Sequence, residues 1–472
     1  MRPDRRKSKK WKLRNSERKI VLLFGDLLAA GVAVYLAIRL WGQFDYLGPT
    51  QEFILSRAPW FLFLPFLWVA ILLFNVYDNR RTLSIRDTAI GLLVSAAVGF
   101  IIYLVVYFQL DQGSLPRRGI LYFLSFSILF TFIWRLVYIR IFSLPGFMRR
   151  VLIVGAGDSG RSMLDVINDI WPPPFYTVGF VDDDESKLGQ QIEGNPVLGS
   201  SQQLSEITEE HNVSDVIVAI LGPMKGKMFQ AILDVQQTGV EVVRMPVAYE
   251  QLLGKVPIHH LESDWLLRSF VDEVSRSAFY GTIKRLIDLL VSAAGLFFFM
   301  FLFPVIAVAI RVESKGPILY RQIRLGLGGK PYTVVKFRSM RQDAEADGKA
   351  HWASADDPRT TRVGRFLRKT HLDEFPQFIN VFMGDMSMVG PRPERPELVA
   401  NLEENIPFYR ARLLVKPGVT GWAQVRYDKG ASLEGSDEKL EYDLYYIKHR
   451  SLWMDFSIIA QTFGAVLGMK GE

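Results

Sequence analysis

Apolar and polar positions give the chain three successive textures. Continuous apolar runs cover about 20–40, 59–77, 89–110 and 119–142, each near the ~20 residues needed to cross a bilayer core, and they predict four transmembrane helices. Downstream, short apolar runs alternate with helical-period segments: a strand over 151–154, a helix near 158–170, a strand over 177–182, a helix near 203–211, a strand over 213–220, a further helix, and a strand over 240–246. Such alternation specifies a parallel sheet with crossover helices. A fifth apolar run, Leu289 to Ile310, holds no charge and contains Pro304. After it the chain becomes dense in charged residues, proline and glycine.

Charge orients these segments. Met1 to Lys19 carries ten Lys and Arg, so the formal excess of +7 is local to the N-terminus. Arg80, Arg81 and Arg86 lie between runs two and three, and Arg149 and Arg150 follow run four, against Arg57, Arg117 and Arg118 elsewhere. The positive-inside rule therefore puts both ends of the four-helix bundle in the cytoplasm. The tail reads as a topogenic signal, and no nucleic-acid partner is expected, because stacking aromatics are not interleaved with its cations. The first run lacks a small-residue cleavage site and is expected to be an anchor rather than a leader. A fifth crossing would export the charged remainder of the chain. Basic residues flank run five on both sides (Lys284 and Arg285, then Arg311 and Lys315), and a proline removes a helical hydrogen bond. A hairpin-like re-entrant helix at about 286–310 is therefore expected. Asp26 lies inside run one, where a functional role and snorkelling from near the helix end are both open.

Cysteine is absent, which excludes a disulfide framework and a cysteine zinc site. The six histidines form no H-E-x-x-H pattern; His259 and His260 are adjacent and so point apart, as a solvated pair rather than two metal ligands. Gly155, Gly157 and Gly160 match G-x-G-x-x-G between a strand and a helix, and Asp182 falls where a ribose-binding acid is expected. Either this loop binds a nucleotide or its glycines serve only the tight turn and close helix packing.

The last third carries the chemistry-bearing pattern. Alternation at Tyr332, Val334, Lys336 and Arg338 suggests a strand with those side chains on one face, and its two cations suit phosphate. In "RKTHLDEFPQF", Asp373 and Glu374 follow Arg368 and Lys369. Thr370 with Asp373 resembles a capping box, whereas Pro376 suits the first turn of a helix beginning near Phe375 and ending at Gly384. Both registers put the acids at a helix N-terminus, which favours phosphate; as successive residues they point in different directions and suit two roles. In "GPRPERPE", Pro391 and Pro393 fix the backbone around Arg392 and so aim its guanidinium.

The blocks "KFRSM", "LRKTHLDEFPQF", "GDMSMVGPRP", "KPGVTGWAQV" and "YDLYYIKHRSLWMDF" together resemble the bacterial polyprenyl-phosphate hexose-1-phosphate transferases, the monotopic phosphoglycosyl transferases, over about 277–472. The four spans and the Rossmann-like region resemble the large members, of the undecaprenyl-phosphate galactose or glucose phosphotransferase type, which initiate exopolysaccharide, capsule or O-antigen synthesis. The resemblance implies a multidomain membrane protein of the bacterial inner membrane. Its parts would be a basic tail (1–19), a four-helix transmembrane bundle (20–147), a Rossmann-like α/β domain (148–276) and an α/β catalytic domain with a re-entrant helix (277–472), both soluble domains facing the cytoplasm.

The resemblance also implies attack by Asp373 on the diphosphate of a UDP-sugar, release of UMP, and transfer of the phospho-sugar to undecaprenyl phosphate with Mg2+. Asp373 and Glu374 would hold the metal, and Lys336, Arg338, Arg368 and Arg392 would neutralise the diphosphate. Small members carry Ser-Pro in the re-entrant helix; here Phe303 precedes Pro304. The glycine loop behind membrane spans also admits a membrane-anchored nucleotide-sugar dehydratase or oxidoreductase, or a non-enzymatic nucleotide sensor. The dehydratase needs a Tyr-x-x-x-Lys pair on a helix, and Tyr332 with Lys336 reads as strand. Neither the sugar nor the oligomeric state is marked by spacing, although the large relatives make a homodimer an expectation.

Overall fold

The computed structural model describes residues 15–45, 47–57, 59–75, 77, 85–109, 117–142, 148–171, 173–222, 224, 226–261, 278–341, 357–427 and 435–467. Most of the basic tail, with Arg80 and Arg81, lies outside the described residues. Two compact units are formed, Met1–Leu253 and Gly254–Glu472.

The first unit opens with α1 (Asn15–Gly42), α2 (Gln51–Arg57), α3 (Leu64–Asn75), α4 (Ile85–Gln109) and α5 (Arg117–Phe142). Among the described residues three helices are long and apolar enough to cross a membrane: Glu17–Gly42, Arg117–Phe142 and, in the second unit, Phe279–Glu313. The apolar parts of α3 and α4 are shorter, Phe61–Leu73 and Gly91–Val106. α1 packs on α5 and α3, and α4 on the same two helices. The approach of α1 to α5 is close: a Cβ on Gly25 would fall within the indole of Trp134, whose Nε1 donates to the Leu22 carbonyl at 3.3 Å.

One turn along, Asp26 is fully buried. It does not snorkel, because α5 brings Arg135, also fully buried, to within 2.6 Å of its carboxylate, and the Tyr77 hydroxyl donates to the same oxygen at 2.6 Å. Pairing the two charges across the α1–α5 contact removes the need for either to reach water.

The remainder of this unit is a six-stranded sheet of order β3-β4-β2-β1-β5-β6, formed by β1 (Arg149–Val154), β2 (Phe175–Val181), β3 (Gln191–Ile192), β4 (Asn195–Gly199), β5 (Asp215–Val218) and β6 (Glu241–Arg244). Its helices are α6 (Asp158–Asp169), α7 (Leu204–Glu210), α8 (Gly226–Gln237) and α9 (Met245–Leu253). β1 lies between β2 and β5, parallel to both. Val151 and Ile153 enter one core while Leu152 and Val154 enter the other, as expected of a central strand covered on both faces. The sequence reading missed the β3–β4 hairpin. Its strands are too short for an alternation signal, and its turn rests on positive φ at Glu193 and Gly194, the backbone of a type I′ turn.

The second unit starts with a strap, Gly254 to Leu261, where the sequence placed the start of the domain near 277. Val256 and Ile258 are buried in the unit's main core, the Trp422 indole donates to the Gly254 carbonyl at 2.7 Å, and Lys255 pairs with Glu438 and Glu441 at 3.0 Å each. There follow α10 (Ala278–Glu313), a hairpin of β7 (Leu319–Leu325) and β8 (Pro331–Phe337), α11 (Arg362–Lys369), α12 (Gln377–Met383), β9 (Ser387–Val389), α13 (Pro396–Asn405) and β10 (Gly418–Thr420), parallel to β9. α14 (Trp422–Arg426), α15 (Ser436–His449) and α16 (Leu452–Leu467) complete the unit.

α10 runs through Pro304 as one 36-residue helix, without the hairpin-like break expected there. A proline withdraws only one helical donor, and packing holds the turns on either side of it. Along one face, Arg285 donates to the Val381 and Phe382 carbonyls, and Asp288 accepts from Ser387 Oγ and Met388 N. Farther on, the Phe299 and Phe303 rings lie 5.6 and 5.9 Å from that of Phe337. Glu313, the last residue, accepts from the Arg362 and Val363 amides at 2.6 and 2.8 Å, capping α11. On the opposite face Leu290, Phe297, Phe301, Val305 and Val308 are exposed.

The Asp26–Arg135 pair predicts a clear asymmetry. Asp26→Ala should cost ~3–5 kcal/mol by leaving Arg135 buried and unpaired, whereas Asp26→Leu with Arg135→Met should recover most of that loss. Thermal unfolding in detergent measures both; a single variant melting with the wild type would remove the pair as a structural element.

Candidate active site

Local chain geometry places the acid pair. Thr361 Oγ1 accepts from the Gly364 amide at 2.9 Å and starts α11. Thr370 ends it, donating to the Phe366 and Leu367 carbonyls at 2.8 and 3.2 Å, so the capping box expected between Thr370 and Asp373 does not form. His371 then takes a left-handed conformation, φ 55°, and reverses the chain into a single 3-10 turn, Leu372–Glu374. Pro376 is the N-cap of α12, and Gly384 ends that helix at φ 99°. The acids therefore lie in a turn running into α12, not on its first positions.

Asn380 holds this turn against the strand that supplies the cation. Its side chain accepts from the Val335 amide at 3.2 Å and donates to the Thr333 carbonyl at 2.8 Å, satisfying a free edge of β8. Lys336 Nζ then reaches Glu374 Oε1 at 2.7 Å, and Arg392, from the loop after β9, reaches the same oxygen at 2.7 Å. The sequence reading passed over Asn380. Its signal was a polar residue within the apolar run Phe378 to Phe382.

Asp373 and Glu374 are both buried, yet their situations differ. Burial opposes ionisation of Glu374, but Arg392 and Lys336 outweigh it and hold the carboxyl well below its usual range. Asp373 has no hydrogen-bond or ion-pair partner among the described residues. Burial, and then the charge of Glu374, push its carboxyl above the usual range. Burial likewise lowers the ammonium of Lys336.

The other expected phosphate binders separate. Arg368 stays beside the site, its guanidinium held by Ser339 Oγ at 3.1 Å. Arg338 does not: β8 ends at Phe337, and Arg338 turns back to donate to the Ser314 and Lys315 carbonyls at 2.8 and 3.0 Å, closing the C-terminal end of α10. The expected alternation fails there because the strand does. Pro391 and Pro393 flank Arg392 in a cleft also lined by Leu325 and Leu413.

In the first unit two of the three fingerprint glycines, Gly155 and Gly160, have structural tasks. Gly155 takes φ 106°, and a Cβ on Gly160 would lie 2.0 Å from the Gly155 carbonyl oxygen. Gly157, the N-cap of α6, faces open space. Asp182 accepts from the Ala156 and Asp184 amides at 2.8 and 2.9 Å and from Lys187 at 3.2 Å, so its carboxylate braces the loop itself.

Residues 279–469 match the bacterial sugar transferase family, and residues 73–246 match a CoA-binding domain. The chain is 42% identical over 218 residues to the UDP-N-acetylgalactosamine-undecaprenyl-phosphate N-acetylgalactosaminephosphotransferase of Aeromonas hydrophila, an alignment covering 46% of this chain and 50% of the relative. It is 33% identical over 293 residues to the UDP-glucose:undecaprenyl-phosphate glucose-1-phosphate transferase of Xanthomonas campestris pv. campestris, covering 60% and 59%. The chain thus spans half of the first relative's length and 59% of the second's. Against the undecaprenyl-phosphate glucose phosphotransferase of Komagataeibacter xylinus the identity is 32% over 386 residues, covering 79% of this chain and 70% of the relative. On that coverage, and on the match across 279–469 that encloses Lys336, Asp373, Glu374 and Arg392, the chain belongs to the bacterial sugar transferase family.

Proposed function

We propose that the protein transfers a hexose-1-phosphate from a UDP-sugar to undecaprenyl phosphate, releases UMP, and so begins a surface polysaccharide: exopolysaccharide, capsule or O-antigen. The observation that carries this reading is a buried carboxylate without a hydrogen-bond or ion-pair partner among the described residues, Asp373, next to one held by two cations, Glu374. An unpartnered carboxylate is available as a nucleophile. An Asp373 oxygen attacks the phosphorus that bears the sugar, the bond from that phosphorus to the oxygen of UMP breaks, and UMP leaves with the electron pair. A phosphate oxygen of undecaprenyl phosphate then attacks the same phosphorus and returns Asp373 to a carboxylate.

Lys336, Arg392 and Arg368 supply fixed positive charge around the diphosphate, where preorganised donors are most effective. Magnesium is commonly held by one or two carboxylates together with substrate phosphates. Asp373 and the Glu374 oxygen that Lys336 and Arg392 leave free would share such a hold; when bound, the ion would offset diphosphate charge.

The membrane arrangement follows from α10. Its contacts with the rest of the second unit recur at every second turn or closer from Arg285 to Glu313. A spanning helix would need ~20 consecutive residues clear of that unit. With its outer face apolar, α10 is read as entering one leaflet and leaving from the same side. α1, α3, α4 and α5 are read as a four-span bundle in the inner membrane, with both soluble parts in the cytoplasm, where UDP-sugars are made. The dehydratase reading loses ground because Tyr332 and Lys336 stand on a strand, in a different unit from the glycine loop.

Asp373→Asn should abolish UMP release from UDP-sugars in the presence of undecaprenyl phosphate while the protein remains folded; turnover near the wild-type rate would remove Asp373 as nucleophile. Glu374→Gln should lower turnover by about 10²-fold, since it unties two preorganised cations.

Because Asp373 titrates above the usual carboxylate range, wild-type turnover should fall on its acid side as that carboxyl takes up its proton. The fall should move to lower pH in Glu374→Gln, which removes a negative neighbour and frees Lys336 and Arg392. An unmoved acid limb would count against Asp373 as the titrating group.

Single cysteines can be introduced cleanly into a chain that has none. Glu185→Cys and Glu404→Cys, both at exposed positions, should react with an impermeant thiol reagent only after the inner membrane is opened. Labelling of Glu404→Cys alone in intact spheroplasts would mean that α10 crosses.

A further inference from the structure

The loop that presents Arg392 is held at almost every backbone carbonyl. Lys284 Nζ and the Tyr446 hydroxyl donate to the Val389 carbonyl at 3.1 and 3.2 Å. The Gly418 amide donates to Pro391 at 2.9 Å, and the Leu325 amide to Glu394 at 3.1 Å. Between these, two successive carbonyls each receive an arginine: Arg412 donates to Arg392 at 3.0 Å and Arg324 to Pro393 at 2.9 Å. The two arginines come from separate parts of the unit, Arg324 from β7 and Arg412 from a 3-10 turn, Tyr409–Leu414.

Their counter-ions are built in. The Glu394 carboxylate lies between them, 3.6 Å from Arg324 and 3.8 Å from Arg412. Asp443, on α15, accepts from Arg412 at 2.8 Å; both members of that pair are buried. Burying arginines is costly unless every charge is paired and bonded, and prolines alone would already stiffen a surface loop. The Arg392 side chain, by contrast, is half exposed. Its reach is therefore set by where its backbone is fixed.

We propose that Arg324 and Arg412 are positioning residues: a double clamp on the carbonyls of Arg392 and Pro393 that aims the Arg392 guanidinium at the diphosphate of the bound nucleotide. The inference rests on the nucleotide-sugar reading given above. Arg392 itself meets the phosphate. The clamp arginines touch neither it nor the reacting atoms and act only through the loop, since their donors are taken up by backbone carbonyls, Glu394, Asp443, Gln322 and Tyr409.

The test is a double-mutant cycle read as the affinity of UDP for the full-length protein in detergent, measured by titration calorimetry. Arg412→Lys and Arg324→Lys keep the charge but not the planar fork of donors, and each should weaken UDP binding by about tenfold, the scale of a small misplacement of a positioned group. Arg392→Ala should weaken it at least as much, and adding either clamp substitution to Arg392→Ala should cause no further loss.

Losses that multiply in the double variants would overturn the proposal, because the clamp would then act independently of Arg392; so would clamp variants that bind UDP like the wild type. If Arg412→Lys fails to fold, Arg324→Lys and Asp443→Asn carry the same cycle. Wild-type protein that does not bind UDP would count against the nucleotide-sugar reading itself and take the clamp with it, an outcome distinct from measurable but multiplying losses.

Discussion

A single carboxylate oxygen organises the catalytic unit. Glu374 Oε1 receives Lys336 from β8 and Arg392 from the loop after β9, each at 2.7 Å, and so joins three segments that are distant in sequence. Each cation fixes the other's position through the shared acceptor, and both act on Asp373 only through space, without a bond to it. Lys336, Arg392 and, beside them, Arg368 face two carboxylates, of which Asp373 is bonded to no cation among the described residues. Such a cluster suits the negatively charged donor proposed above.

The same economy of charge appears at the ends of helices. Glu313 finishes α10 and caps α11, while Arg338 closes the α10 terminus from the strand side. The end of the apolar helix is thus fixed to the segment that leads, eight residues beyond α11's first turn, to the acid pair. The exposed apolar face of α10 and the acid pair are thus tied together within one unit, which suits the transfer proposed above between a water-soluble donor and a membrane-held acceptor.

Much of this was legible in the sequence. The acid pair, Lys336 and Arg392 stand in or beside the short motifs that carry the family resemblance, and the sheet of the first unit, its β3–β4 hairpin aside, follows from strand and helix periods. What escaped has a common cause: it depends on partners far away in the chain. Arg338 shares the alternation of β8 but lies one residue past its end, where only the fold decides which way it turns. Asp26 reads equally as a functional acid or a snorkelling one until Arg135, 109 residues later, supplies its counter-charge. Pro304 reads as a break, yet the rings of Phe299 and Phe303 stack against Phe337 and keep the helix continuous. Arg324 and Arg412 sit among residues of no distinctive pattern, Asn380 shows only as a polar residue in an apolar run, and the roles of all three are set by backbone groups that no local window contains.

The strap that opens the second unit has a consequence for how chains of this kind can be recombined. Val256 and Ile258 fill the same core as Trp422 and Leu440, so the eight residues from Gly254 to Leu261 are a borrowed element: their side chains complete one unit although they directly follow the last helix of the other. An upstream module exchanged at the edge of the sugar transferase match, residue 279, would leave behind an open apolar slot and remove Lys255 from Glu438 and Glu441. Grafting or shuffling is therefore constrained to seams ahead of Gly254, and a lineage that lost the upstream module would have had to keep the strap or refill its groove.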